Sequence, residues 1–518
     1  MSKSIVTLQL GNYANFIGSH YWNLHEFSFD KPNNFIDNDV NYYEGLTSTN
    51  EVTFTPKVLS WDWKENLGAR VVDDIYEEIE NRGDTNAQTR RDFKSLKIDS
   101  FKGTIEKHTG FTDDELKVNQ NQQMVEKDYN EWNEFLYARF HPNSLTKLPK
   151  LYRELDKGNF RCFSQGLKLT DNNEFHECMI EQVRYFVEKC DILQGFQMLC
   201  DSDDGFSGVG MNFLTHISDE YSKDVFSFPT NPNVNNTNIT SALNKIFLYN
   251  EMNSRSVVWS PIGCFNGKTN SKVEFANVKY NDQSKYHSSA ILALALKTLL
   301  LPCFINNMNY SLSDFSSVID RQNNKMASLA MSLPFPLKQN ETVENSLLNL
   351  KTSDFYSVLN PFIEKVDRFD SVIGNIFGVN DYRFINRERK SNGLFDRCSN
   401  GSEMMELFMN VNCLSRKSRF VRSVDKIQLG RPFPWIFSSD IDRLSGELLS
   451  ANDEKMFWHC PKSIPLSTIL FSNDNADCLI PLYDTAKAAV KQNRVSSCIL
   501  QIEPDLLTEA IENFRDMI

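Results

Sequence analysis

Gly205, Gly208 and Gly210 follow an apolar run at 192–199 and precede residues 211–221, where Phe213, Leu214, Ile217 and Tyr221 recur at helical spacing. A strand, a glycine-rich turn and a helix in that order can hold a phosphate. Backbone N–H groups converge on the anion at the helix N-terminus, and the missing side chains let it come close. Gly11, Asn12 and Tyr13 stand in the same relation to a first strand at 4–10 and to a helix whose start is read at 15–22. A tight strand-to-helix turn needs the same glycines, so on the glycines alone both readings stand. The acids change the chemistry. Asp203 and Asp204 come immediately before Gly205, with Ser207 in the same loop. Each charge-assisted hydrogen bond from such a loop contributes ~1.5–3 kcal/mol. A carboxylate about 4 Å from a phosphate costs ~4 kcal/mol at a surface-like effective dielectric. Two carboxylates therefore cancel most of the attraction, unless a bridging Mg²⁺ takes both kinds of oxygen.

Other reactive combinations carry less. The eleven cysteines are scattered, odd in number and form no CxxC pair, which reads as reduced thiols and not as a disulfide framework or a zinc site. His176-Glu-Cys178 and His459-Cys460 have no second ligand pair at zinc spacing. His20 and His25 are five apart and share a helix face poorly. The net charge of −13 argues against non-specific binding to nucleic acid or to an anionic membrane, both polyanions. Basic clusters at 383–390 and 416–422 read as solvated faces, with an acidic partner as the sharper alternative.

With 41% hydrophobic residues and 38 phenylalanines, the chain has ample material for a core. Strands are expected at 4–10, 52–61 and 192–199, and helices at 73–81, 175–189, 211–221, 286–301 and 504–518. Pro56 marks a strand edge or start. Residues 95–127 read as a polar surface excursion, and 333–337 as a proline-interrupted element. The run at 290–301 is broken by Lys297 and stopped by Pro302, so it is expected to be a buried helix and not a membrane span. No secretory signal opens the sequence. Strands alternating with helices give an α/β class with a largely parallel sheet. Leu507, Ile511 and Phe514 form one stripe of the last helix, expected to dock on the body.

Two stretches are more specific than composition. Residues 5–18, Ile5-Val-Thr-Leu-Gln-Leu-Gly-Asn-Tyr-Ala-Asn-Phe-Ile-Gly18, resemble the opening strand, first nucleotide loop and first helix of tubulins. Cys190-Asp-Ile-Leu-Gln-Gly-Phe-Gln197 resembles the strand before the tubulin signature loop. The loop itself, Asp201-Ser-Asp-Asp-Gly-Phe-Ser-Gly-Val-Gly210, together with Asp219-Glu-Tyr221, Tyr286-His-Ser-Ser-Ala-Ile-Leu-Ala293 and Ser332-Leu-Pro-Phe-Pro336, resembles the Misato family, a divergent branch of the tubulin/FtsZ-like superfamily.

The resemblance implies a tubulin-like fold: a Rossmann-like domain over 1–285, a central helix at 286–302, a second α/β domain over 303–430 and a C-terminal part over 431–518 with rising helix content. It implies a GTP pocket lined by Gly11, Asn12, Tyr13, Asp62, Asp203, Asp204, Gly205, Ser207, Gly208 and Gly210. The residues argue against its use. Aspartates replace two loop glycines, Phe206 replaces the threonine, and Val209 replaces the last glycine. Asp62 persists where tubulins place acids near the metal, but Lys64 takes the second acid's position. The stretch resembling the hydrolytic loop, Gln322-Asn-Asn-Lys-Met-Ala327, holds no acid, with Asp320 nearby. The expectation is a non-catalytic protein without cofactor or metal, with a polymer-forming GTPase as the competing reading. The family resemblance further implies a role in mitochondrial distribution, morphology and genome inheritance, links to tubulin and to the cytosolic chaperonin, and a cytoplasmic location with peripheral attachment to the mitochondrial outer membrane.

Overall fold

Val6, Leu8 and Leu10 alternate with Ile5, Thr7 and Gln9 along Lys3–Leu10 (β1), and all six are buried. A strand buried on both faces belongs inside a parallel sheet covered by helices on both sides. The computed structural model places it there. It describes residues 3–29, 36–46, 52–68, 128–149, 157–232, 238–267, 271–306, 308, 310–319, 325–336, 356–364, 369–378, 398, 403–404, 407–408, 410–411, 417–423, 425–449, 459–472, 476–491 and 504–518. The expected helix at 73–81, the excursion at 95–127 and the basic cluster at 383–390 lie outside the described residues.

After β1 come Asn12–Phe29 (α1), the antiparallel ribbon Tyr42–Leu46 (β2) and Val52–Pro56 (β3), then Val58–Trp63 (β4) and Leu145–Leu148 (β5). Phe163–Thr170 (α2) and Asn173–Glu188 (α3) lead to Ile192–Asp201 (β6), Phe206–Tyr221 (α4), Asp224–Thr230 (β7), Ile239–Arg255 (α5) and Val258–Trp259 (β8). The first sheet is parallel throughout, in the order β5-β4-β1-β6-β7-β8. Chain order thus reverses between β1 and β6, where open α/β sheets bind ligands beyond the carboxyl ends of the strands.

Several boundaries differ from the sequence reading, β6 running on to Asp201 among them. The strand expected at 52–61 is two strands, broken at Lys57. Its backbone N–H turns to Asn41 O at 2.7 Å, while its buried ammonium donates to Ser4 Oγ at 2.9 Å and Asp39 O at 2.6 Å. Pro56 therefore ends the ribbon strand β3. Helix α1 starts at Asn12, three residues early, and α4 starts at Phe206, five residues early. Most of the presumed glycine loop is thus the first turn of a helix.

Lys285–Leu300 (α6) is apolar on every side because it is enclosed on every side. It packs on α1 and on the second sheet. By length and composition the helix running on to Cys303 would cross a membrane, yet 94% of that window is buried in the fold. The second sheet follows Leu312–Ile319 (α7). Its strands are Ser328–Ser332 (β9), Ser357–Val358 (β10), Ser371–Phe377 (β11), Lys417–Ser423 (β12) and Leu466–Ser472 (β13), in the order β10-β9-β13-β11-β12. Only the β11–β12 pair is parallel. The middle strand, β13, comes from the 431–518 stretch, so the C-terminal part completes the second sheet. Asn375 on β11 donates to Thr298 O at 3.1 Å and Leu299 O at 2.7 Å, which satisfies carbonyls that the end of α6 leaves open.

Ile480–Lys491 (α8) and Pro504–Met517 (α9) close the fold against α5. Leu507, Ile511 and Phe514 are buried, as the stripe predicts, and Asn250 Nδ2 donates to Ala510 O at 2.7 Å.

Candidate functional site

The crevice at the strand-order reversal is built from the end of β1, the start of α1 and the segment joining β6 to α4. Gly11 ends β1 with φ +107°, a conformation that glycine adopts without strain. Its N–H donates to Trp61 O at 3.0 Å. A Cβ on Gly11 would lie 2.5 Å from Asp201 Oδ2, so the backbone turn and the Asp201 carboxylate are in closest approach. That carboxylate caps α1. Tyr13 N–H donates to Oδ2 at 2.9 Å, Ala14 N–H donates to Oδ1 at 2.9 Å, and Thr230 Oγ1 donates to Oδ1 at 2.6 Å. An anion is expected at this helix N-terminus, where orphan amides and the helix dipole both favour negative charge. Here the anion is a side chain of the protein itself, only 5% exposed.

The next helix is served by the same segment. Asp204 Oδ1 accepts from Phe206 N–H at 2.8 Å, and Asp204 O accepts from Ser207 Oγ at 2.6 Å. This explains the early start of α4: an aspartate two residues ahead of the first helical residue takes up one of its orphan donors. Burial pushes the Asp201 carboxyl up to about 7, against its three donors and with the help of the Asp203 charge. Burial also lifts the half-buried Asp203 and Asp204. Lys245 and Lys285 ease the first, whereas the charges of Asp201 and Asp203 push the second further, well above the usual carboxylate range. Burial lowers the Lys245 ammonium in turn, offset by Asp203.

Asp62 is the penultimate residue of β4, and both its oxygens are engaged. Oδ1 accepts from Asn66 Nδ2 at 2.5 Å and Trp63 N–H at 2.8 Å. Oδ2 accepts from Trp132 Nε1 at 2.9 Å and more weakly from Asn12 Nδ2 at 3.4 Å. Asn12 Oδ1 accepts from Lys285 Nζ at 2.5 Å, and Tyr13 OH donates to Ser288 Oγ at 2.9 Å, so the starts of α1 and α6 are tied together. Lys64 lies exposed in a short 3₁₀ turn. Among the described residues no group of three or more His, Cys, Asp or Glu is arranged to hold a metal ion.

The glycines serve packing. A Cβ on Gly208 would overlap the Phe163 carbonyl, and one on Gly166 would overlap the Gly205 carbonyl, because α2 and α4 cross with their backbones in contact. A Cβ on Gly205 would meet the Phe160 ring at 2.7 Å, and one on Gly210 would meet Cys200 Sγ at 2.5 Å. The Phe160 ring lies edge-on to Trp63 and Phe206, with both centroids at 5.3 Å, and so sits beside Gly205. Of the residues predicted from sequence, the structure brings together Gly11, Asn12, Tyr13, Asp62, Asp203, Asp204 and Gly205 around the crevice. Ser207, Gly208 and Gly210 fall inside α4, facing its own turn, α2 and β6 respectively. A phosphate set on α1 would have to displace Asp201; the present residues do not fit one.

A family model for the Misato Segment II tubulin-like domain matches residues 3–132, and one for a Tubulin domain matches residues 122–305. The chain belongs to the Misato family of tubulin-like proteins. Protein misato of Drosophila melanogaster is 27% identical over 381 residues, which cover 66% of this chain and 66% of the fly protein. Protein misato homolog 1 of Danio rerio is 24% identical over an alignment covering 99% of this chain and 96% of the fish protein. Protein dml1 of Aspergillus clavatus is 28% identical over 312 residues, 58% of this chain and 60% of its own length. The six-stranded parallel sheet, its helices and the buried α6 are the tubulin-like α/β arrangement expected of a Misato protein.

Sequence reasoning missed the central group of this Misato site. In sequence Asp201 opens the loop after the strand expected at 192–199, whereas in the structure it is the last residue of β6, two residues beyond that expected end. Only its position at the strand-order reversal, opposite Gly11, reveals it as the cap of α1. Thr230 and Lys245 were missed for the same reason, since β7 and α5 bring them in from outside any motif. Asp320 and 322–324 lie outside the described residues. Lys325 to Ala327 extend along β8, with Trp259 N–H donating to Lys325 O at 3.1 Å. In the basic stretch 416–422, Arg419 is bound within the fold: it pairs with Asp314 at 2.5 Å and lies over the Tyr310 ring at 4.3 Å. His20 is a core residue, with Nε2 3.0 Å from Tyr286 O and burial pulling its imidazole down to about 3.

Proposed function

We propose that this Misato-family chain is a non-catalytic tubulin-like protein that acts by binding partners through its surface. One observation carries this reading. The amides at the start of α1, which a nucleotide phosphate would need, donate to the Asp201 carboxylate. A second acidic group in the same place would have to compete with Asp201 for the Tyr13 and Ala14 amides in a poorly solvated crevice. Loss of the phosphate site removes the chemistry a tubulin-like GTPase depends on and leaves the fold as a scaffold. The cellular setting we propose is the one the family resemblance implies: mitochondrial distribution, morphology and genome inheritance, with tubulin and the cytosolic chaperonin as partners and peripheral attachment at the mitochondrial outer membrane. The enclosed position of α6 supports attachment without a spanning helix from this segment.

The experiment is a pull-down from cytosol with the full chain, scored for tubulin and chaperonin subunits with and without added GTP. Capture of either partner to the same extent in both buffers is the expected result. Capture of neither, or capture that depends on GTP, contradicts the proposal; dependence on GTP would favour the polymer-forming GTPase.

A further inference from the structure

We propose that Tyr43 and Tyr185 form a two-walled cation clip on the surface, and that its ligand is a trimethylated lysine of a partner protein, which displaces the chain's own Lys189. The clip shares no residue with the crevice and does not depend on nucleotide. Tyr43 lies on β2 and Tyr185 on α3, 142 residues away, yet their hydroxyls are 3.5 Å apart. Both rings are half-buried. The exposed Lys189 ammonium sits 5.9 Å from the centre of the first ring and 5.3 Å from that of the second, within reach of both π faces. Exposed Glu44, Glu188 and Asp191 adjoin these residues in sequence. Among the described residues Lys189 forms no ion pair with them; it rests on the rings instead. The walls are held from behind. His141 Nδ1 accepts from Asn143 N–H at 3.0 Å, which leaves Nε2–H to donate to Tyr185 OH at 3.0 Å. The His141 ring stacks on Tyr185 with centroids at 4.8 Å, and buried Phe186 backs Tyr43 and Tyr185 at 6.3 and 5.1 Å. An untethered primary ammonium is strongly hydrated and gains little from such a clip; Lys189 reaches it because its own backbone holds it there. A quaternary ammonium sheds its water more readily and is the cation that paired aromatic walls select. A lysine stem fits better than a choline lipid, because the present occupant enters on such a stem and the flanking carboxylates repel a lipid phosphate.

The test uses the full chain and a short fluorescent Arg/Ser/Gly peptide with one central trimethyllysine, beside its unmethylated twin, read by anisotropy. Lys189→Ala removes the tethered occupant and leaves the rings in place. It is expected to bind the trimethylated peptide about tenfold tighter than the twin. Wild type should bind the trimethylated peptide about two- to fivefold more weakly than Lys189→Ala, since the exposed ammonium must first leave. In the Lys189→Ala background, Tyr185→Phe keeps the ring and should keep the preference for the methylated peptide, whereas Tyr185→Leu should abolish it. Tyr43→Leu is the second wall variant and replaces Tyr185→Leu if that chain does not fold. Equal binding of the two peptides by Lys189→Ala overturns the proposal, as does a preference that survives loss of a ring or binding no tighter in Lys189→Ala than in wild type. Co-sedimentation of Lys189→Ala with phosphatidylcholine vesicles, without affinity for the trimethylated peptide, overturns it in favour of a lipid headgroup.

Discussion

Gly208→Ala is expected to destabilise the protein by about 3 kcal/mol or more, a large share of the ~5–15 kcal/mol that holds a typical domain folded. The added methyl has no space to enter, because the Phe163 carbonyl and the Leu167 amide of α2 stand where it would go. Backbone cannot rotate aside as a side chain can, so α2 and α4 must separate, and with them Phe163, Phe206 and Val209, all buried at that contact. Denaturant unfolding should show a lower midpoint at unchanged slope. Ser207→Ala, one residue away, removes a single hydrogen bond to Asp204 O and should cost only about 1 kcal/mol. A phosphate-cradling glycine would behave in the opposite way: its replacement would leave the fold intact and weaken nucleotide binding. Equal, small effects at both positions would show that the helices do not cross as described.

The second large effect is a pH dependence set by the acids of the crevice. Asp201, Asp203 and Asp204 are all held above the ordinary aspartate value, in each case mainly by burial. The folded chain therefore binds more protons than the unfolded chain above pH ~3.9. The stability these groups contribute is complete below that value and is lost as pH rises toward and through the folded-state values, about 7 for Asp201. His20 and His25 act the other way. Burial lowers both, so the unfolded chain takes up the protons below pH ~6.5. A difference measurement cancels them. Asp204→Asn keeps the Oδ1 that caps α4 and removes the ionisation. Relative to wild type it should gain stability as pH rises above the ordinary aspartate value, by up to about 1.4 kcal/mol for each pH unit. Parallel stability curves would mean that Asp204 is ionised in the folded protein and that its charge is tolerated there.

Much of the architecture could be read in the sequence because it rests on periodicity. The even–odd alternation of β1, the helical spacing of Met179, Val183 and Phe186 in α3, and the apolar run of α6, interrupted only at Lys297-Thr298, each point to one packing arrangement. Boundaries were harder where a side chain from elsewhere decides them. Helix α1 begins at Asn12 because Asp201, 188 residues away from Tyr13, accepts its first amides. Helix α4 begins at Phe206 because Asp204 does the same locally, a signal that was present in the sequence and was read as a charge facing a phosphate. The site was legible in part. The aspartates of the loop marked the crevice as acidic, but Asp203 and Asp204 are not the groups that fill it. Asp201 is, and β-strand order, which no local pattern encodes, places it there. The glycines misled for a related reason: a close helix crossing and a phosphate cradle both demand the missing Cβ, and only the position of α2 separates the two.

Whether purified wild-type protein holds or takes up guanine nucleotide decides most directly if Asp201 closes the crevice. Denaturing the protein and analysing the supernatant should release none, and calorimetric titration with GTP and Mg²⁺ should show no binding at micromolar concentrations. Stoichiometric GDP or GTP in the supernatant, or a micromolar Kd, would mean that Asp201 yields its place to phosphate and would contradict the account.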